Sequence, residues 1–310
     1  MRIFMTGGTG FVGRNLSRVL MARGHEVTIL TRGRGAVPAG VSVLTGDPTE
    51  KGVWQRSVRD HEIVINLAGA TIFHRWTTSY KRLVRESRLR TTRNLVGALD
   101  GAAGRIFFST SAVGYYGFHG DEVLTEASPP GTDFLAVLAR DWEEEARRAE
   151  GRGARVLITR FGIVLGRGGG ALDQMIPLFK WGLGGPLGSG QQWFSWVHME
   201  DLCRAYLFLI DRPDLSGPFN FTAPHPVPNR ELARALGKAT RRPSWMRAPG
   251  FLMKLLLGEF GSVLLKGQRV VPRRLLDGGF HFNYPDLAEA LGEIISPSRE
   301  RPPELVKKGP

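Results

Sequence analysis

The first thirteen residues, MRIFMTGGTGFVG, restrict the fold of this chain more than any other stretch. Arg2 to Met5 read as a short buried strand and Thr6-Gly7-Gly8-Thr9-Gly10 as a tight turn. From Phe11 onward, Gly13, Leu16, Val19 and Leu20 fall at helical spacing. Gly8, Gly10 and Gly13 make GxGxxG, while Gly7, Gly10 and Gly13 make GxxGxxG. Each glycine answers a separate need: a sharp turn, close backbone approach to a pyrophosphate, and tight packing of helix on strand. The helix N-terminus adds unpaired N–H donors and a partial positive charge. A glycine pattern alone is a weak signal, but this one follows a strand and opens a helix. It therefore predicts dinucleotide contacts at Gly7, Gly10, Phe11, Val12 and Gly13.

The text that follows alternates strand and helix. His25 to Leu30 form a second strand ending in Thr31-Arg32-Gly33-Arg34. A carboxylate there would accept from an adenosine 2′-hydroxyl and favour NAD; none is in reach, and arginine suits a 2′-phosphate. Thr31 and Arg32 thus predict NADP, with NADPH preferred over NADH, although an exposed arginine pair in a loop would read alike. A third strand, Val41 to Leu44, precedes Asp47, which can meet the adenine amine or serve an Asp-Pro turn. A fourth, Glu62 to Leu67, ends in small residues, so a cofactor can lie across Leu67, Ala68 and Gly69. Ser79 to Leu99 form a long arginine-bearing helix, and a fifth strand, from Arg105, carries Ser109, Thr110 and Ser111 at its carboxyl end. Those hydroxyls face the expected nicotinamide, with Ser109 as a cofactor contact. Asp141 to Ala149 read as a charged, solvated helix with Trp142 inward, and Arg155 to Leu165 as a sixth strand. The alternation predicts right-handed βαβ units in an α/β, doubly wound, parallel Rossmann sheet.

Composition shifts after residue 165. Gly166 to Gly190 read as glycine-rich loops around a cleft, and Trp193 to Ile210 as a short strand turning into a helix. Asn229 is a good N-cap, and 229–296 read as short helices broken by Pro243, Pro249, Pro272 and Pro285. The expected division is 1–165 plus 195–223 as an NAD(P)-binding domain and 166–194 plus 224–296 as a smaller, mostly helical substrate lobe. The Pro- and charge-rich residues 297–310 are expected to be a flexible tail.

The net charge of +13 raises the question of nucleic acid. The basic residues are scattered, and helix-turn-helix, RNA-binding and zinc motifs are absent, so no nucleic-acid partner is expected. Cys203 is the sole cysteine, which precludes an intrachain disulfide. With a strand starting at residue 2 and no room for a signal peptide, a reducing, cytoplasmic setting is expected. The apolar run Phe251 to Leu265 is broken by Lys254, Gly258, Glu259 and Gly261 and is too short to span a bilayer; no membrane partner is expected. No clustered His/Cys set calls for a metal, and no GxSxG elbow is present.

Taken in order, TGGTGFVG, NLAGA, STSAVGYYG, RFGIVLG, WVHMEDL and FNFTA resemble the extended short-chain dehydrogenase/reductase superfamily. More closely, the chain resembles its atypical, NAD-dependent epimerase/dehydratase-like branch, which has a human NADP-binding relative and bacterial members sometimes labelled cell-division inhibitors. SRLRTT (87–92), the stretch 166–196 and GQRVVPRRLLDGGFHF (267–282) carry that closer likeness. The resemblance runs from residue 1 to about 295. It implies cofactor contacts at the glycine turn, Thr31, Arg32, Leu67 and Ala68. On resemblance alone it adds Arg88 and Val164.

The superfamily's catalysis uses Ser, Tyr and Lys, the last two as YxxxK, with Tyr as acid/base. Four residues after Tyr80, Tyr115, Tyr116, Tyr206 and Tyr284 stand Val84, His119, Gly120, Ile210 and Ala288, so no YxxxK exists. Ser111 matches the catalytic serine. Tyr115 or Tyr116 is left as a substitute proton donor, and Tyr116 is the one advanced, although a tyrosine there also shapes pockets. Glu126 and Asp133 are further carboxylates that equally suit capping or loop support, and His198 and Asp201 suit a helix cap better than a catalytic pair. The reading is an NADP(H)-binding oxidoreductase or epimerase-like enzyme acting on a small polar substrate. The alternative is a non-catalytic NADP-binding regulator or sensor.

Overall fold

The computed structural model describes residues 1–33, 36–99, 101 and 103–296; Arg34 and the expected tail 297–310 lie outside the described residues. The first half runs β1 (Arg2–Thr6), α1 (Phe11–Ala22), β2 (Glu26–Thr31), β3 (Ser42–Thr45), α2 (Trp54–Val58), β4 (Ile63–Asn66) and α3 (Thr78–Ala98). It continues with β5 (Ile106–Ala112), β6 (Val123–Leu124), α4 (Phe134–Arg147), β7 (Arg155–Phe161) and β8 (Ile163–Leu165). Next come α5 (Gly170–Lys180), β9 (Trp193–Phe194), β10 (Trp196–His198), α6 (Met199–Ile210), β11 (Gly217–Phe221), β12 (Val227–Pro228) and α7 (Asn229–Thr240). The chain closes with α8 (Gly250–Leu257), α9 (Glu259–Leu264), β13 (Arg269–Val270), α10 (Arg273–Asp277) and α11 (Leu287–Ile295).

Seven parallel strands form the central sheet in the order β3-β2-β1-β4-β5-β7-β11. Strand order reverses between β1 and β4, which opens a crevice at their carboxyl ends. Alternate residues cover opposite faces. Ile3, Met5, Ile65 and Phe108 pack with Leu16 and Leu20 of α1 and Leu202 and Tyr206 of α6. Phe4, Val64 and Phe107 pack with Trp54, Leu95 of α3 and Ala146 of α4. A further cluster joins Leu172, Phe179, Phe194, Trp196, Leu232, Leu236, Leu287 and Leu291, drawn from α5, β9, β10, α7 and α11.

Four sequence expectations are corrected here. The single strand 155–165 is two, because Gly162 turns the chain out of the sheet. A Cβ there would lie 2.8 Å from the Ser195 carbonyl oxygen, and β8 pairs with β10 instead. The glycine-rich stretch 166–190 contains the helix α5, held by Leu172 and Phe179 against α7. Asn229 does not cap α7; its Oδ1 accepts from the Leu187 N–H at 2.8 Å, and Pro228 occupies the cap. The charged helix is not simply solvated, because Glu143 and Glu145 are buried beside Trp142.

Candidate dinucleotide site

The carboxyl ends of β1, β4, β5 and β7 surround a cavity of about 250 Å³. Gly7, Gly10, Phe11, Val12, Gly13, Leu67, Thr110 and Phe161 line it. The turn is closed by the Gly10 N–H donating to the Gly7 carbonyl at 3.0 Å. Gly7 has φ +70°, and a Cβ on it would sit 2.6 Å from the Leu67 carbonyl carbon. A Cβ on Gly13 would sit 2.5 Å from Gly8 Cα, so α1 starts pressed on the turn. No side chain caps α1, which leaves its first N–H groups for a ligand or solvent.

Two groups near this cavity lack the partners that burial demands. Ser109 Oγ is buried without a hydrogen bond; Thr110 Oγ1 lies beside the Tyr206 phenol without an aligned one. Orphaned hydroxyls at the end of a central strand fit a polar ligand. Ser109, in register with Asn66, shares the face toward α3 and α4, whereas Thr110 turns toward α6. Arg88 Nη1 donates to the Ala70 and Val84 carbonyls, both at 3.0 Å. Its guanidinium lies 5.3 Å from the Trp142 ring centroid and under Gly69, where a Cβ would come within 3.0 Å of Cζ. Burial pushes the Arg88 pKa down to about 10, and no carboxylate among the described residues pairs with it. The cradle of glycines, the orphaned hydroxyls and the unpaired arginine together fit an anionic dinucleotide.

At the end of β2, Thr31 is buried and its carbonyl accepts from the Gly46 N–H, which brings Asp47 alongside. Arg32 is exposed, with no carboxylate within 4.0 Å among the described residues. Asp47 Oδ1 is taken by the Thr49 N–H and hydroxyl at 2.8 and 2.7 Å, so it shapes the turn. Burial works against its ionisation, but the Thr49 bonds and the Arg32 and Arg90 charges outweigh that and lower its pKa. Ala68 N–H donates to Asn66 Oδ1, holding the Leu67–Gly69 segment under the turn. Val164 is outside the cavity lining. It pairs with Val197, and its carbonyl faces Gly170. Gly166, Gly169 and Gly170 close over the Phe11 ring; a Cβ on Gly169 would lie 2.6 Å from Phe11 Cγ.

The structure places both hydroxyls of the expected catalytic pair in hydrogen bonds within the protein. Ser111 Oγ donates to Glu143 Oε1 at 2.7 Å, inside the protein. Tyr116 is fully buried; its hydroxyl donates to Asn220 Oδ1 and accepts from Arg160 Nη1, at 2.7 and 2.8 Å. Burial pushes the phenol pKa far up, with Arg160 and Asn220 opposing. Neither hydroxyl is free to meet a substrate. Both belong to a network centred on Arg160, 1% exposed, whose Nε and Nη2 each meet a Glu143 carboxylate oxygen at 2.8 Å. The Tyr115 ring lies 3.5 Å from the guanidinium carbon and is only partly buried. Sequence reasoning missed Arg160 and Glu143, yet an arginine inside the apolar strand RVLITRF was a visible signal, since a buried charge needs a partner. Phe161 was missed as a cavity wall, because its role depends on the break at Gly162.

The other candidates do structural work. Glu126 accepts from the Asn220 and Arg274 N–H groups, and Asp133 caps α4 through the Leu135 and Ala136 N–H groups. His198 Nδ1 accepts from the Glu200 N–H at the start of α6. Asp201 takes the Asn283 and Tyr284 N–H groups.

A doubly wound parallel sheet with a glycine turn, a free helix N-terminus and an unpaired arginine at its switch point defines a Rossmann protein that binds a nicotinamide dinucleotide. Residues 3–221 match the NAD dependent epimerase/dehydratase family, to which the chain belongs; residues 248–294 match a domain of unknown function, DUF1731. The chain is 40% identical over 307 residues to the chloroplastic epimerase family protein SDR39U1 homolog of Arabidopsis thaliana, covering 95% of this chain and 87% of that one. It is also 40% identical over 292 residues to epimerase family protein Mb2239 of Mycobacterium bovis, covering 94% and 96%. The crystal structure of human epimerase family protein SDR39U1 (isoform 2) with NADPH superposes with a TM-score of 0.85 at 35% identity, covering 95% of this chain and 99% of that one.

Proposed function

We propose that the chain binds NADP(H) in preference to NAD(H) and acts as an oxidoreductase or epimerase-like enzyme on a small polar substrate. The observation that carries the cofactor preference is the end of β2, where exposed Arg32 stands without a carboxylate partner among the described residues. The human relative crystallised with NADPH supports the same preference. The glycine turn and the α1 N-terminus hold the pyrophosphate, Arg32 meets the 2′-phosphate, and Arg88 presents its remaining N–H donors beside Gly69 and Ala70. A nicotinamide held there would supply or accept hydride, and Thr110 and Phe161 are among the residues that would wall its site.

A second reading, an NADP-binding regulator without turnover, is favoured by one observation. The hydroxyls of Ser111 and Tyr116 are committed to the Arg160–Glu143 network. Titration with NADPH and NADH, followed by fluorescence, tests the cofactor reading. Wild type should prefer NADPH, and Arg32→Ala should lose roughly ten-fold or more of that preference. Binding of neither nucleotide overturns both readings. Oxidation of NADPH with a panel of small carbonyl compounds separates them: turnover supports the enzyme, and tight binding without turnover supports the regulator.

A further inference from the structure

The lobe built on α5, α7 and α8 carries apolar side chains that stand exposed among the described residues. Trp181, Trp245, Phe251 and Leu255 are 74%, 75%, 74% and 70% exposed, with Leu178, Leu183, Met246 and Leu252 beside them also exposed. Two segments bring these side chains together. Leu187 bridges Ala248, the Ala248 N–H donates to the Pro186 carbonyl at 3.0 Å, and the Gly188 N–H donates to the Ala248 carbonyl at 2.9 Å. Gly185 lies directly against the Met246 backbone. Residues 185–188 and 246–248 therefore run side by side and join the two segments that carry these exposed rings. Eight exposed large apolar side chains on two joined segments, two of them tryptophans, are more than the single scattered residues a surface ordinarily shows and suit a docking surface.

The charge around it is one-sided. Lys180, Lys238, Arg241, Arg242, Arg247 and Lys254 lie in the stretches 174–190 and 236–258, which contain no Asp or Glu at all. None of the six has a carboxylate partner among the described residues, and all six are exposed. Pairing this face with a second copy would press like charges together, which disfavours self-association. Tryptophan with arginine and lysine around an apolar stripe is the composition of a surface that lies in a lipid headgroup region. Among the described residues no helix is long and apolar enough to cross a membrane, so the contact is peripheral.

We propose that this face, centred on Trp181, Trp245 and Phe251, docks the protein on an anionic lipid bilayer. Tryptophan and phenylalanine enter the acyl boundary while Arg241, Arg242, Arg247, Lys180 and Lys254 meet headgroup phosphates. This departs from the expectation, drawn from the broken run 251–265, that no membrane is a partner. A segment too short to span is still suited to lie in the interface.

The test is sedimentation of the full chain with vesicles of phosphatidylcholine alone or mixed equally with phosphatidylglycerol. The protein should pellet with the mixed vesicles only and be released by high salt. Trp181→Ser/Trp245→Ser/Phe251→Ser and, separately, Arg241→Gln/Arg242→Gln/Arg247→Gln should each lower the partition roughly ten-fold or more. Unchanged NADPH binding reports that each variant is folded. No pelleting with anionic vesicles, equal pelleting with neutral ones, or pelleting untouched by both variants overturns the proposal. So does a concentration-dependent dimer, seen by light scattering without vesicle binding, that the tryptophan variant abolishes.

Discussion

Substituting Glu143→Gln isolates the energetics of the ion network behind β5 and β7. Glu143 is 1% exposed and accepts from Arg160 twice at 2.8 Å, from Ser111 at 2.7 Å and from Arg147 at 3.0 Å. The glutamine keeps the shape and one acceptor but removes the only counter-charge paired with Arg160 among the described residues. Arg160 then keeps neutral partners: the glutamine oxygen, the Tyr116 hydroxyl and the two tyrosine rings. Leaving a buried charge uncompensated costs about 3–5 kcal/mol. Replacing both charges, as Arg160→Met/Glu143→Leu, avoids that penalty and leaves one hydroxyl, Ser111, without its acceptor, a loss of about 1–3 kcal/mol. Urea unfolding followed by tryptophan fluorescence should therefore find the single variant less stable than the double. A Glu143→Gln loss under about 1 kcal/mol would show that the pair is hydrated, and a double-variant loss equal to the sum of the Arg160→Met and Glu143→Leu losses measured singly would show no coupling; either result refutes the reasoning.

Two further outcomes follow from the same side chains. Arg88→Met should weaken NADPH binding by about 1.5–3 kcal/mol in a fluorescence titration while leaving the thermal midpoint without nucleotide unchanged or higher, since it removes a desolvated charge that has no carboxylate partner. Burial, against the nearby Glu293, Asp201 and Glu200 charges, lowers the His198 pKa below 6.5, and its neutral ring accepts the α6 cap bond. Its contribution is thus fully present above pH 6.5 and lost as pH falls through the folded-state value. His198→Asn, which keeps a cap acceptor, should flatten the pH dependence of the unfolding midpoint in that window, with His25, whose pKa burial also lowers, contributing to what remains.

The sheet was legible because its signals are local. The strands at Arg2, Glu26 and Ile63 and the turn at Gly7–Gly13 each carry a period, a glycine spacing or a small-residue end that reads without any neighbour. What escaped was long-range. Gly162 ends β7 only because Ser195 and Thr222 crowd it, and those lie over thirty residues downstream. Helix α5 hid inside a glycine-rich text because its register is set by α7. The burial of Tyr116 was invisible for the same reason: its partners Asn220 and Arg160 are 104 and 44 residues away. A tyrosine next to a serine in sequence reads as a catalytic neighbour, but on a strand end the two side chains take whatever partners the sheet offers.

The glycine turn by itself does not separate a working dinucleotide site from retained architecture. Gly13 packs on Gly7 and Gly8, and Gly7 on Leu67, so the fold needs these glycines whether or not a pyrophosphate lies there. Arg88 is different. The fold gains two bonds to carbonyls from it and bears the desolvation of a guanidinium with no carboxylate beside it, where a methionine would pack on Trp142 as well. Ser109 is similar in kind: its buried, unpartnered hydroxyl is a cost that alanine would remove. Two such costs, on β5 and α3, have no stabilising counterpart among the described residues. A polar, anionic ligand in the crevice would offset the arginine's cost, so on the proposed function the arginine on α3 speaks for a cofactor more strongly than the glycines do.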